Sequence, residues 1–238
     1  MILIKVKDYN ELSEKACEIV VKEINRKPNF TIGFATGETP LGLYKELVKA
    51  YNKGIIDFSK VKTFNLDEYY SMKKKSKDSY YFYMFKNLFS NVNIKRKNIS
   101  FLNGETRNSS KECLDYEKKI RKNPIELQIL GVGVNGHIGF DEPGSDFNSK
   151  TRVIELSKET IKHNSKFFKN KKMPKRALTM GIKTIMNSKK IILLASGKEK
   201  RKAVNHLIHG KITKEWPDSI LKKHKNFTLI ADKAALGD

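Results

Sequence analysis

Short apolar runs recur along this chain, each separated from the next by an amphipathic or polar segment. They read ILIKV at 2–6, FTIGFA at 30–35, VKTFNL at 61–66, ELQILGV at 126–132, KIILLA at 190–195 and NFTLIA at 226–231. Runs this short, rich in Ile, Val, Phe and Leu and bounded by turn residues, read as buried strands. Between the first two, Leu12, Ala16, Ile19, Val20 and Ile24 fall on one face of a helix over 10–26, with Asn10 as its expected cap. Helices are expected in the same way over about 40–53, 78–90, 110–122, 157–168 and 198–209. Weaker strands are expected at 98–102, 151–156 and 175–180. Strands alternating with helices predict an α/β fold with a doubly wound, mostly parallel sheet. No repeat or long linker interrupts the pattern, so residues 1–238 are expected to form one domain.

Composition removes other classes. No apolar run approaches the roughly 18 residues of a membrane span, and the start, MILIKVKDYNELSEK, does not have the form of a secretory signal. Cys17 and Cys113 fall within expected helices and read as packing residues, not as a disulfide framework. The expectation is a cytoplasmic protein with no membrane partner. The 48 Lys and Arg against 26 Asp and Glu leave +22, which suits an anionic partner. The lysines are spread along the whole chain without a one-sided basic stripe. The charge therefore reads mainly as a solvated surface that also helps to capture an anionic metabolite.

Ligands of such sheets bind at the carboxyl ends of the strands, and three unusual patches fall there. In Thr36-Gly37-Glu38-Thr39-Pro40, glycine permits a tight turn and proline suits a first helical turn. The N–H groups of that turn and its threonine hydroxyls can cradle a phosphate, although ordinary strand-to-helix turns use the same residues. In Asn65-Leu66-Asp67-Glu68-Tyr69, two adjacent carboxylates end an apolar strand. Neighbours on a strand point to opposite sides, so one at most faces a cleft, where it is placed to act as a general base. Helix capping is the other reading. The third patch, GVGVNGHIGFDEP at 131–143, sets His137 among four glycines, with Asn135 and Glu142 near enough to fix its tautomer. Its glycine spacing does not lead directly into a helix, which disfavours a dinucleotide site. His206 and His209 have metal-ligand spacing but no acid or cysteine beside them, so no metal is expected.

Together TGETPLGLY, TFNLDEYY, GVGVNGHIGFDEP, NSKFF and SGKEKRKAV resemble, in that order and over roughly residues 2–232, the glucosamine-6-phosphate deaminase family. The resemblance implies a Rossmann-like fold with helices on both faces and no organic or metal cofactor. It implies conversion of D-glucosamine 6-phosphate and water to D-fructose 6-phosphate and ammonia. Asp67 matches the family aspartate that moves a proton from C2 to C1, His137 the histidine that opens the sugar ring, and Glu142 the glutamate that helps to orient it. Phosphate binding carries over onto Thr36, Gly37, Glu38, Thr39, Lys166 and Lys200.

The chain departs from the family at several of these positions. Asn135 stands where some members have aspartate, so the imidazole gains a hydrogen-bond acceptor but no charge. Lys166 replaces an arginine and loses a bidentate fork. Glu38 replaces a glycine or serine, and Asp141 replaces an asparagine. Arg152 matches an arginine of the family's allosteric site, but Ile154 stands in place of a lysine there. The expectation is a monomer or small homo-oligomer without strong allosteric activation. Three other readings compete: a lactonase of the same fold, a sugar-phosphate sensor, and a nucleic-acid binder, for which the sequence offers no motif. The sequence leaves the choice between glucosamine and galactosamine phosphates open.

Overall fold

The six apolar runs are all strands of one sheet in the computed structural model, which describes residues 1–165, 168 and 173–238. In chain order the first half runs β1 (Ile2–Val6), α1 (Tyr9–Arg26), β2 (Thr31–Phe34), α2 (Leu41–Asn52), β3 (Lys62–Asn65), β4 (Asp67–Tyr69), α3 (Tyr80–Asn87), β5 (Ile99–Ser100), α4 (Ser109–Lys122) and β6 (Leu127–Gly131). The second half runs β7 (Arg152–Glu155), α5 (Lys158–Ser165), β8 (Arg176–Thr179), α6 (Ile182–Met186), β9 (Ile191–Ala195), α7 (Arg201–His209), β10 (Phe227–Asp232) and α8 (Lys233–Leu236).

Seven strands pair in parallel in the order β1-β10-β9-β6-β2-β3-β5. The alternation along each strand feeds two cores. Ile32, Phe34, Ile129 and Leu194 meet the apolar faces of α1, α2 and α3 on one side. Phe64, Leu130, Leu193 and Leu229 meet α4, α6 and α7 on the other. From β2 the chain proceeds in one direction to β3 and β5, then returns to lay β6 against the opposite side of β2 and continues to β9 and β10. The strand order therefore reverses between β2 and β6, which opens a crevice at their carboxyl ends.

Of the weaker strands, the one near 98–102 joins this sheet as its edge strand β5, but those near 151–156 and 175–180 do not. β4, β8 and β7 form a second, antiparallel sheet in that order. Leu66 is the point of change. Its N–H donates to the Phe34 carbonyl of the large sheet at 3.1 Å, and its own carbonyl accepts from the Met180 N–H at the end of β8 at 2.7 Å. Strands this short carry too little alternation to reveal their partners. A small third core, with Tyr69, Met72, Phe140 and Leu156, packs beside this sheet. The cap of α1 also differs from expectation. Asp8, not Asn10, accepts from the N–H groups of Asn10 and Glu11, each at 3.0 Å. Among the described residues no helix is long and apolar enough to cross a membrane.

The long loop between β6 and β7 is anchored at its far end by close packing. A Cβ on Gly181 would lie 2.4 Å from the backbone of Ser149, whose carbonyl and hydroxyl receive the Lys183 and Ile182 N–H groups at 2.9 and 3.0 Å. Gly181→Ala is expected to cost about 1–3 kcal/mol, because backbone atoms must move to admit the methyl. A urea unfolding midpoint equal to wild type would contradict this packing.

Candidate active site

The crevice collects the three patches. Turn 36–40 follows β2, Asp67 follows β3, and loop 131–143 follows β6. Gly37 has φ +101°, a left-handed conformation that glycine adopts without steric cost. The Tyr83 hydroxyl donates to the Gly37 carbonyl at 2.6 Å, and the Tyr9 hydroxyl donates to the Glu38 carbonyl at 2.9 Å. Those carbonyls are held by tyrosines, and the N–H groups of Gly37 and Thr39 make no backbone hydrogen bond among the described residues. They sit at the amino end of α2, where the helix dipole favours an anion.

The two adjacent carboxylates divide their work. Glu68 accepts from the N–H groups of Tyr69, Tyr80 and Tyr81 at 2.9, 3.1 and 2.9 Å. Ser79 accepts from Phe82 at 3.0 Å. Together they satisfy the first turn of α3, so the capping reading holds for Glu68. Burial raises its carboxyl to about 7 against the pull of those N–H groups. Asp67 is also buried, but its Oδ1 meets no donor among the described residues. Burial first, then the neighbouring Glu68 and Asp141, push its proton affinity well above the ordinary carboxylate range.

The helix that Glu68 caps carries Tyr80, a residue that the sequence pattern did not single out. Its hydroxyl lies 3.1 Å from that of Tyr69 and hydrogen-bonds Thr36, and its ring stacks on Phe140 at 6.0 Å. One side chain thus ties the 36–40 turn to the glycine-rich loop.

In that loop the imidazole of His137 lies against Gly133, where a Cβ would come within 2.2 Å of the ring. His137 Nδ1 is 2.8 Å from Asn135 Oδ1. The same Asn135 atom accepts the His137 backbone N–H at 3.3 Å, which marks it as the amide oxygen. Nδ1 therefore carries the proton in the neutral ring, and Nε2 keeps the lone pair for proton transfer. Glu142 is half-buried, and its Oε1 accepts the Ser157 N–H at 3.3 Å. Asp141 is fully buried and paired with Arg152 at 2.7 Å. Lys200 lies half-buried in the turn after β9, which Asp232 holds by accepting from Ser196 Oγ and the Gly197 N–H. Lys166 lies outside the described residues. His206 stacks on Trp216 at 4.8 Å and its Nε2 is 3.0 Å from the Lys211 carbonyl.

Asp218 was not legible as a site residue. It is the second residue of a short helical turn that begins at Pro217, its N–H donates to the Gly136 carbonyl at 2.9 Å, and both its carboxylate oxygens are buried without a good donor among the described residues. Gly136, at φ +80°, leaves room for it: a Cβ there would lie 2.7 Å from Asp218 Oδ1. Burial raises the acid to about 7, against the pull of the Ser219 N–H and the Lys222 ammonium. A carboxyl raised by folding supplies stability below its unfolded pKa, and this is lost as pH rises through the folded value. Wild type is thus expected to lose roughly 2–4 kcal/mol relative to Asp218→Asn between pH 4 and pH 8. Urea unfolding at both pH values measures it, and a constant gap would refute a neutral Asp218.

Comparison with known proteins fits this geometry. The model of the family described as glucosamine-6-phosphate isomerases/6-phosphogluconolactonase matches residues 7–230. A glucosamine-6-phosphate deaminase of Clostridium novyi (strain NT) is 54% identical over 99% of this chain and 98% of its own length. A solved structure described as a monomeric glucosamine-6-phosphate deaminase superimposes with a TM-score of 0.96 at 38% identity, covering 100% of this chain and 99% of that one. A 6-phosphogluconolactonase from Trypanosoma cruzi shares the fold at 20% identity, with a TM-score of 0.78 over 100% of this chain and 96% of its own. With its crevice, its loop histidine and its buried aspartate in place, the chain belongs to the glucosamine-6-phosphate isomerase and 6-phosphogluconolactonase family.

Proposed function

We propose that this enzyme, acting as a single domain, converts D-glucosamine 6-phosphate and water to D-fructose 6-phosphate and ammonia. The observation that carries the reading is Asp67: a buried carboxylate with one oxygen unpaired, at the crevice and one residue past the sheet change. The N–H groups of 36–39, with Lys200 and Lys166, receive the phosphate. His137 Nε2 moves the proton that opens the sugar ring. Asp67 then takes the proton from C2 and returns it to C1, which carries the carbonyl from C1 to C2 as an imine. Water adds at C2 and ammonia leaves. Asn135 holds the tautomer of His137, and Glu142, which ties the same loop to the Ser157 N–H, helps to orient it.

The raised proton affinity of the buried Asp67 suits this chemistry. The substrate brings its own cation, the C2 ammonium, and an adjacent cation favours the ionised carboxylate. A carboxylate made more basic by burial and favoured in its ionised form by the adjacent amine is matched to a weakly acidic carbon. A lactonase, which hydrolyses an ester, needs no base at C2. Among the described residues no group of three or more His, Cys, Asp or Glu is placed to hold a metal ion. The catalytic unit is a monomer or small homo-oligomer working in the cytoplasm.

Purified protein mixed with glucosamine 6-phosphate is expected to release ammonia and fructose 6-phosphate in equal amounts. Turnover of galactosamine 6-phosphate alone would change the epimer. Tight binding of either sugar without ammonia would identify a sensor.

A further inference from the structure

The Arg152–Asp141 pair has no part in the mechanism above, yet the small sheet places it beside the reacting group. Thr179 on β8 is in register with Asp67 on β4 to one side and with Arg152 on β7 to the other. Arg152 Nη1 reaches Asp141 at 2.7 Å, and Ser149 Oγ lies 3.5 Å from the same carboxylate oxygen. Thr179 Oγ1 accepts the Phe140 N–H at 3.2 Å. Gly139 fits so closely that a Cβ there would be 3.1 Å from Thr179 Oγ1 and 3.5 Å from Asp67 Oδ2. The segment running from His137 to Asp141 is thus pressed onto the row that holds Asp67, and the ion pair fastens its end.

We propose that the Arg152–Asp141 ion pair is a positioning element of the reaction: it clamps this segment to the small sheet and keeps a second carboxylate beside the one that takes the substrate proton. The proposal rests on Asp67 being the base. The titratable groups set around Asp67 are Glu68 and Tyr69 on its own strand, Tyr44 on α2, Tyr80 on α3, Tyr116 on α4 and Asp141 on the loop. His137 lies on the same loop segment as Asp141. The four phenols stay neutral, because burial holds each well above the working range. Glu68 is held by three backbone N–H groups. Asp141 is the neighbouring acid that carries a guanidinium: burial raises its carboxyl to about 7, Arg152 pulls against that rise, and the charge it bears when ionised makes Asp67 a stronger base.

The test is the pH dependence of kcat/KM and kcat with glucosamine 6-phosphate. Asp141→Asn removes a negative charge and leaves Arg152 positive, and both effects favour ionised Asp67. The acid limb is expected to move down by about one pH unit, with plateau kcat lowered about three- to tenfold as the base weakens. An acid limb that stays in place overturns the proposal, whatever happens to stability. If Asp141→Asn does not fold, Arg152→Lys and Arg152→Gln decide. Lysine is expected to keep the wild-type limb, and glutamine to displace it and lower kcat with little change in KM. Identical behaviour of the two overturns the proposal. Asp67→Asn separates the two readings: if it stays active the assignment of the base fails, and if it is inactive while Asp141→Asn is unshifted only the role of the ion pair fails.

Discussion

Asp67→Asn is expected to lower ammonia release about 10⁴-fold and yet to leave a protein that unfolds at a higher temperature than wild type at pH 8. The loss lies at the top of the range for a general base, because the same carboxylate serves two proton transfers. The gain follows from the burial of Asp67. A carboxylate whose Oδ1 meets no donor costs free energy when it ionises, and an amide carries no charge. Catalytic groups of this kind trade stability for function. Continuous assays of ammonia and fructose 6-phosphate, paired with thermal unfolding, separate this outcome from simple misfolding. A variant that keeps more than a few per cent of its activity would remove Asp67 from the C2 step and move the weight to the lactonase reading.

His137→Ala is the second large effect, a fall in kcat of roughly 10²–10⁴-fold on the cyclic substrate. Its signature is selectivity. An acyclic or pre-opened analogue bypasses ring opening, so its turnover is expected to fall far less. Equal losses on both substrates would place His137 in a later step. The 2.8 Å contact with Asn135 refines this expectation. Asn135→Asp would add a negative charge at the Nδ1 side and raise the pH of the histidine limb. An unchanged limb would mean that the contact is absent in solution.

The six apolar runs made the large sheet legible, because each is long enough to show burial on both faces and amphipathic helices lie between most of them. The site was legible wherever chemistry and glycine density coincide, as at His137 with Asn135. It was half legible at 67–68. Strand alternation showed that the two carboxylates part company, but it could not say which would cap α3, since that helix begins at Tyr80, more than a turn of sequence away. The small sheet was hidden because β4 has three residues and its partner β8 lies more than a hundred positions downstream. The sequence pattern did not single out Asp218 and marked Asp141 only as a departure from the family. Their burial is a property of the packed molecule, and no local pattern announces it.

Leu66 gives its N–H to one sheet and its carbonyl to the other, and this one residue marks the join between the two sheets of the enzyme. The turn proposed to grip the phosphate is built on the large sheet, whereas the carboxylate proposed to work on the carbon chain rides on the small one. Substitutions in β4, β7 and β8 can therefore alter what is done to a sugar without disturbing how its phosphate is held. A molecule built this way can keep its handle and change its tool.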